Sequence, residues 1–236
     1  MASVVLVGRF NPSDFLPQKL ADAGVLGKDE AAAALLQALI PSQVVEYTLP
    51  WGKIQAFADR LIFEANHIPY VRIADLATKA LREVASNYFV NQLGINWSAH
   101  YRVANVKTRD EIGTRLAPPH AWGTWGEAIL QSFDAPASEG VHGGMVSLVM
   151  RRIKPDNREA GWIDARVEPS SKILAGEGVF FLINDHYQLK PESYKIDVTV
   201  GNSALLKPTE NLLETLEQNF DISIERSENI IREVLK

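Results

Sequence analysis

The chain of 236 residues carries 24 Lys+Arg against 29 Asp+Glu, is 46% apolar and contains no cysteine. The missing cysteine excludes disulfides, thiolate metal sites and cysteine nucleophiles, and the length is enough for a core that buries about 70% of the unfolded chain's surface. No apolar run reaches the ~20 residues needed to cross a bilayer, and Met1 to Asp14 has no charged start ahead of its short apolar stretch. A soluble cytoplasmic chain without membrane contact is expected.

The charge is unevenly placed. Thr209 to Lys236 hold seven acidic and three basic side chains, so this segment accounts for −4 of the net −5. The remainder has no basic excess of the kind that phosphate neutralisation requires. Arg151, Arg152, Lys154, Arg158 and Arg166 form the densest basic run, but Asp156, Glu159, Asp164 and Glu168 interleave with it. A solvated strand pair is expected there, and nucleic acid is disfavoured as a partner.

In chain order, Ser3 to Arg9 are a β-branched apolar run closed by Asn11-Pro12, the pattern of a buried strand. Ala31 to Ile40 read as an Ala/Leu-rich helix started by Lys28-Asp29-Glu30 and stopped by Pro41. Val45, Tyr47 and Leu49 alternate with Glu46 and Thr48, and after Pro50-Trp51-Gly52 a second run over 54–65 completes a hairpin. Over 71–90, Ile73, Leu76, Ala77, Ala80, Leu81, Val84, Tyr88 and Phe89 keep helical spacing, with Asp75, Lys79, Arg82 and Glu83 opposite. Ile95, Trp97, Ala99, Tyr101 and Val103 then line one face of a strand whose other face carries Asn96, Ser98, His100 and Arg102.

Residues 107–133 suggest a long connection with a short helix, and strands are expected near 143–154, 160–169, 177–190 and 194–200. Two short amphipathic helices, 209–219 and 223–235, close the chain, with Leu212, Leu213, Leu216, Ile230, Ile231 and Leu235 as their apolar sides. They are expected to fold back as an antiparallel hairpin. Hairpin-length gaps between strands indicate an α+β fold: a predominantly antiparallel sheet with helices on one face and a C-terminal helical pair. A single domain over 1–236 is expected, with two halves joined near 107–140.

Three strings invite chemistry. Gly8-Arg9-Phe10-Asn11-Pro12 after a strand resembles the opening of nucleotidyltransferases, but the histidine pair that would steady the transferring phosphate is missing, since no histidine occurs before His67. His142-Gly143-Gly144 is similar to an esterase oxyanion segment, without the G-x-S-x-G elbow that this chemistry needs, so a strand entrance or bulge is expected instead. The third is Asn184-Asp185-His186-Tyr187, which ends an apolar strand with Asn184 and His186 on one phase. If that strand and the Ile95 strand share a sheet, Asn96, His100, Arg102, Asn184 and His186 are candidates to line a ligand groove. The competing expectation is the wet face of an antiparallel sheet. Two histidines without a third ligand make no metal site, and no catalytic residue, metal or cofactor is assigned. Trp97, Trp122, Trp125 and Trp162 are expected in the core, with a partner patch as the alternative.

Leu93-Gly94-Ile95-Asn96, Glu168-Pro169-Ser170, Ile183 to Tyr187, Leu212-Leu213-Glu214 and Ile230-Ile231-Arg232, in that order, resemble a group of sporadically distributed, uncharacterised bacterial proteins of about this length. That resemblance implies a cytoplasmic bacterial protein and supplies no catalytic residues. The function expected is non-enzymatic binding or assembly, with a protein partner or a homo-oligomer. The rival is a small-molecule enzyme in which His100 or His186 is the general acid/base and Asn96, Asn184 or Arg102 holds an anion.

Overall fold

The structure is a computed structural model, and it describes residues 1–84, 86–131, 143–154, 161–188 and 203–236. The first strand, β1 (Ala2–Gly8), runs into a 3-10 turn at Pro12–Phe15 and two short helices, α1 (Pro17–Asp22) and α2 (Lys28–Ala32). Four strands follow, β2 (Leu35–Ile40), β3 (Val44–Leu49), β4 (Gly52–Phe57) and β5 (Arg60–Ala65), and then α3 (Arg72–Lys79). Next come β6 (Val90–Arg102), α4 (Val106–Leu116), α5 (Gly123–Gln131), β7 (Leu148–Ile153), β8 (Gly161–Pro169), β9 (Gly178–Gln188) and α6 (Ser203–Leu235). Among the described residues the strands make one antiparallel sheet in the order β2-β3-β4-β5-β1-β6-β9-β8-β7. The fold is α+β, as the strand spacing indicates. No helix among the described residues is long and apolar enough to cross a membrane.

The chain forms two compact units assembled from separated segments: Met1–Asn96, Ile153–Trp162 and Asp185–Glu225 in the first, and Trp97–Arg152, Ile163–Asn184 and Arg226–Lys236 in the second. The division therefore crosses β6 and β9 rather than falling at one point near 107–140.

In the first unit, register turns alternation into a core. Tyr47 pairs with Ile54, Ile54 with Phe63 and Phe63 with Val4, giving one row of buried side chains across four strands. Each such side chain contributes about 1.5–3 kcal/mol when buried from water. Helix α3 lies against β1 and β5, and the Pro12–Phe15 turn lies against β3 and β4. The Tyr47 hydroxyl donates to the Phe15 carbonyl at 3.1 Å. Glycine is required at Gly52, where a Cβ would stand 1.9 Å from the Glu64 carbonyl oxygen.

Several elements depart from the sequence pattern. Residues 35–40 are not helix: α2 stops at Ala32 and the chain enters β2, which pairs with β3 through a bulge between Leu36 and Ala38. Helix propensities favour Ala and Leu by only a few tenths of a kcal/mol per residue, and pairing with a neighbouring strand overrides them. The helix over 71–90 ends as α3 at Lys79, continues as a π-type turn to Val84 and gives way to β6 at Val90. Tyr88 instead joins Phe10 and Phe15 in an aromatic cluster, with centroids 5.7 and 6.4 Å away. The connection after β6 holds two helices, α4 and α5.

The C-terminal helical pair is a single helix, α6. Residues 219–223 contain neither Gly nor Pro to break it, and the buried stripe Leu212, Leu213, Leu216 and Phe220 continues through Ser223. In the first unit Thr209 ties it down, accepting from Val90 N at 3.0 Å and donating to the Tyr88 carbonyl at 3.2 Å. Arg82 of the π-type turn pairs with Glu210 and Glu217 on its outer side. The strand expected at 194–200 lies outside the described residues.

Candidate functional site

The five residues proposed for a groove fall into both units, Asn96 and His186 in the first and His100, Arg102 and Asn184 in the second. Asn96 on β6 donates from Nδ2 to Ser3 Oγ at 3.2 Å. His186 on β9 is buried, its ring stacked on Trp162 with centroids 3.9 Å apart. His100 Nδ1 is 2.8 Å from Ser170 Oγ and its ring lies 4.6 Å from that of Phe180. Burial, reinforced by the Lys172 charge, holds the His100 imidazole below its ordinary range. Arg102 donates to Glu177 at 2.9 Å. Asn184 is half-buried, and its Oδ1 has no hydrogen-bond donor among the described residues.

The other strings resolve into local structure. Asn11 Oδ1 accepts from Ser13 N at 3.3 Å and so caps the 3-10 turn, which is the role its residue type favours before Pro12. Gly143 and Gly144 have φ of +49° and +89°, and the Gly143 N–H donates to Asp110 at 3.1 Å beside the buried Arg109. His142 lies outside the described residues. In the basic run Arg151 binds Asp164 with two bonds of 2.7 Å, and Arg166 pairs with Glu168, so acidic neighbours answer the cations as their interleaving suggests. Arg158 is not among the described residues. Trp97 is buried, but Trp122 and Trp125 are exposed and meet edge-to-face at 5.6 Å. No group of three His, Asp or Glu side chains among the described residues could hold a metal ion.

A buried polar node in the first unit was hidden in the sequence. Asp185 on β9 pairs with Lys154, accepts from Ser223 Oγ of α6 at 2.7 Å and accepts from the Tyr187 hydroxyl at 3.3 Å. The Lys154 ammonium also donates to the His186 carbonyl at 3.0 Å and sits 3.0 Å from the Tyr187 ring centroid. Each ionised group thus has an opposite charge and further polar contacts, which is what burial of a charge demands. Because Ser223 donates to a carboxylate and Lys154 is bound to that same carboxylate, the node acts as a brace joining β9, α6 and the end of β7.

Both edge strands of the sheet expose apolar side chains, Val149, Met150 and Ile153 on β7 and a longer set on β2. Leu35, Leu36, Leu39 and Ile40 are exposed at 70, 51, 48 and 50%. Residues directly opposite in an antiparallel pair share a face. Leu36 opposite Tyr47 and Leu39 opposite Val45 therefore stand on the core face, while Leu35, Ala38 and Ile40, opposite Thr48, Glu46 and Val44, stand on the outer face. The strand is apolar on both sides, and no described strand lies outside it. Sequence reading missed it because it took 31–40 as helix. The available signal was the absence of any charge between Leu35 and Ile40 on what would have been a surface helix. The chain matches no protein-family model, and no curated protein matches it.

Proposed function

We propose that this protein is a non-enzymatic binding or assembly protein that works through protein-protein contacts, with the open edge of its sheet as the contact surface. The observation that carries the reading is β2, an edge strand with apolar side chains exposed on both faces. Natural sheets ordinarily blunt such an edge with Lys, Pro or inward charges, because its unpaired N–H and C=O groups are a template for another strand. Leu35 to Ile40 contain none of these residues, and the bulge is the strand's one guard. The two histidines on which an enzymatic reading would draw pack against other side chains, His100 against Ser170 and Phe180 and His186 against Trp162. A cytoplasmic bacterial setting, implied by the resemblance in sequence, fits this reading.

The test is site-specific photo-crosslinking in the native cell, with a benzophenone amino acid at Leu39 and, as control, at exposed Asn229. Adducts to protein at position 39, weak or absent at 229 and lost when Leu36→Lys is added, are expected. Equal labelling at both positions, or none at 39, overturns the reading.

A further inference from the structure

We infer that His100 and Ser170 form a proton-controlled latch on the turn between β8 and β9, closed while the imidazole is neutral and opened when it takes up a proton.

The latch follows from the lone pairs and the single proton of one hydroxyl. Ser170 Oγ accepts from the Lys172 N–H at 3.2 Å and from the Ile173 N–H at 3.1 Å, and so pins the turn that leaves β8. A serine oxygen has two lone pairs and one proton to give. Both lone pairs are taken, and the acceptor that the proton finds among the described residues is His100 Nδ1, at 2.8 Å. That donation fixes the tautomer: Nδ1 is bare and Nε2 carries the hydrogen. Such a serine is not poised as a nucleophile, since attack needs a lone pair free to meet a substrate and the turn's own N–H groups occupy both.

Protonation reverses the arrangement. The imidazolium is a donor at both nitrogens, so Nδ1–H and the Ser170 O–H would point at each other across 2.8 Å. The hydroxyl can turn and accept from Nδ1 only by surrendering the lone pair that holds the Lys172 or the Ile173 N–H. The ends of the turn are held independently, by Ser170 N–H to the Gly178 carbonyl and Val103 N–H to the Glu177 carbonyl, each at 2.9 Å. The opening is therefore confined to 171–175, where Leu174 is 80% exposed and Ala175 has φ of +64°. An alanine keeps that left-handed conformation only under constraint, so the released turn relaxes instead of staying in place.

Within the second unit, the charges around the ring do not replace the lost bond. Lys172 on the turn disfavours a second cation. Arg102 on β6 pairs with Glu177 just before β9, and Glu168 on β8 is held by Arg166 and Ser147. The Phe180 ring of β9, 4.6 Å from the imidazole, brings no charge.

The test is nuclear magnetic resonance of the full chain from pH 8 to pH 4. At pH 8 the imidazole nitrogen shifts of His100 should show Nδ1 without hydrogen and Nε2 with it. As pH falls, the Lys172 and Ile173 amide shifts should titrate with the midpoint of the ring, below the ordinary histidine value of about 6.5. In Ser170→Ala the ring midpoint should rise toward that value, and the two amides should follow it with at least threefold smaller amplitude. Ser170→Thr keeps the hydroxyl and should keep the low midpoint and the coupling. Hydrogen on Nδ1 at pH 8, amides that titrate as strongly in Ser170→Ala as in the unaltered chain, or a ring midpoint that does not rise in that variant overturns the latch.

Discussion

Replacing Lys154 by methionine removes the cation of the buried node and keeps an unbranched stem of similar length. Asp185, whose side chain is 1% exposed, would then hold its charge with Ser223 at 2.7 Å and Tyr187 at 3.3 Å as donors. Removing one member of a buried ion pair costs about 3–5 kcal/mol, because the remaining charge loses its partner without regaining water. Two hydroxyl donors already face Asp185, so about 3 kcal/mol is expected. Asp185→Asn keeps an acceptor for both hydroxyls and leaves the ammonium with the His186 carbonyl at 3.0 Å and the Tyr187 ring. Since the Lys154 side chain is 11% exposed and regains some water, about 2 kcal/mol is expected there. The double variant removes both charges of this pair. It should lose less than the sum of the single variants, with a coupling energy of at least about 1.5 kcal/mol. Urea titration measures this: at a slope of about 2–3 kcal/mol/M, the Lys154→Met midpoint falls by about 1 M. Single costs below about 1 kcal/mol, or additivity within about 0.5 kcal/mol, would refute the brace.

Two further outcomes follow from ionisation. Because burial and Lys172 depress the folded-state pKa of His100, the unfolded chain takes up a proton first as pH falls. The stability this group contributes is present above the ordinary histidine value of about 6.5 and is lost below it. The urea midpoint should therefore drop between pH 7 and 5, less steeply in His100→Gln; an equal slope in both proteins contradicts the assignment. Arg82 binds Glu210 and Glu217 of α6 at an exposed site, so Arg82→Ala should cost no more than about 1 kcal/mol and lose that effect in 1 M salt. A larger, salt-independent cost by urea titration would show that Arg82 packs α6 rather than merely pairing with it.

What was legible in the sequence is what a period can express. The β3–β4 hairpin followed from Val45, Tyr47 and Leu49 alternating up to Pro50-Trp51-Gly52, and β8 and β9 from apolar runs between turn residues, because burial on one face writes itself every second position. Strand β2 could not be read this way. It is exposed on both faces and so has no alternation, and its Ala and Leu residues suit a helix until β3 offers hydrogen bonds. The unity of α6 was lost for a related reason: its buried stripe passes through Ser223 and, in the second unit, Ser227, where an apolar residue was awaited. The polar node was illegible because Asp185 and Ser223 are 38 residues apart and Lys154 sat in a run of surface arginines. The groove residues were legible as strand positions. Their partners, Ser3, Ser170, Glu177 and Trp162, were not, since only tertiary pairing brings them near.

On the outer face of the first unit's sheet, β2 differs from the strands beside it. On β3 and β4 that face is held by Glu46, which pairs with Lys53 and accepts from Gln55 at 2.9 Å. Hydrogen bonds from Lys53 and Gln55 keep the Glu46 carboxyl below its usual range, so the face stays charged in water. One strand further out, the same face presents Leu35, Ala38 and Ile40. Core packing does not demand them, since the buried row runs along the opposite face through Tyr47, Ile54, Phe63 and Val4. Solvation does not favour them either: Leu35 and Ile40, 70 and 50% exposed, together leave about one whole side chain in water and so forgo about 1.5–3 kcal/mol. A strand that is polar where its neighbours face water and apolar only where they face the core would satisfy this chain alone. On that face Ile40 extends an apolar row with Val44 and Phe57, so it is Leu35 and Ala38, set beside Thr48 and Glu46, that break with the polarity of their neighbours.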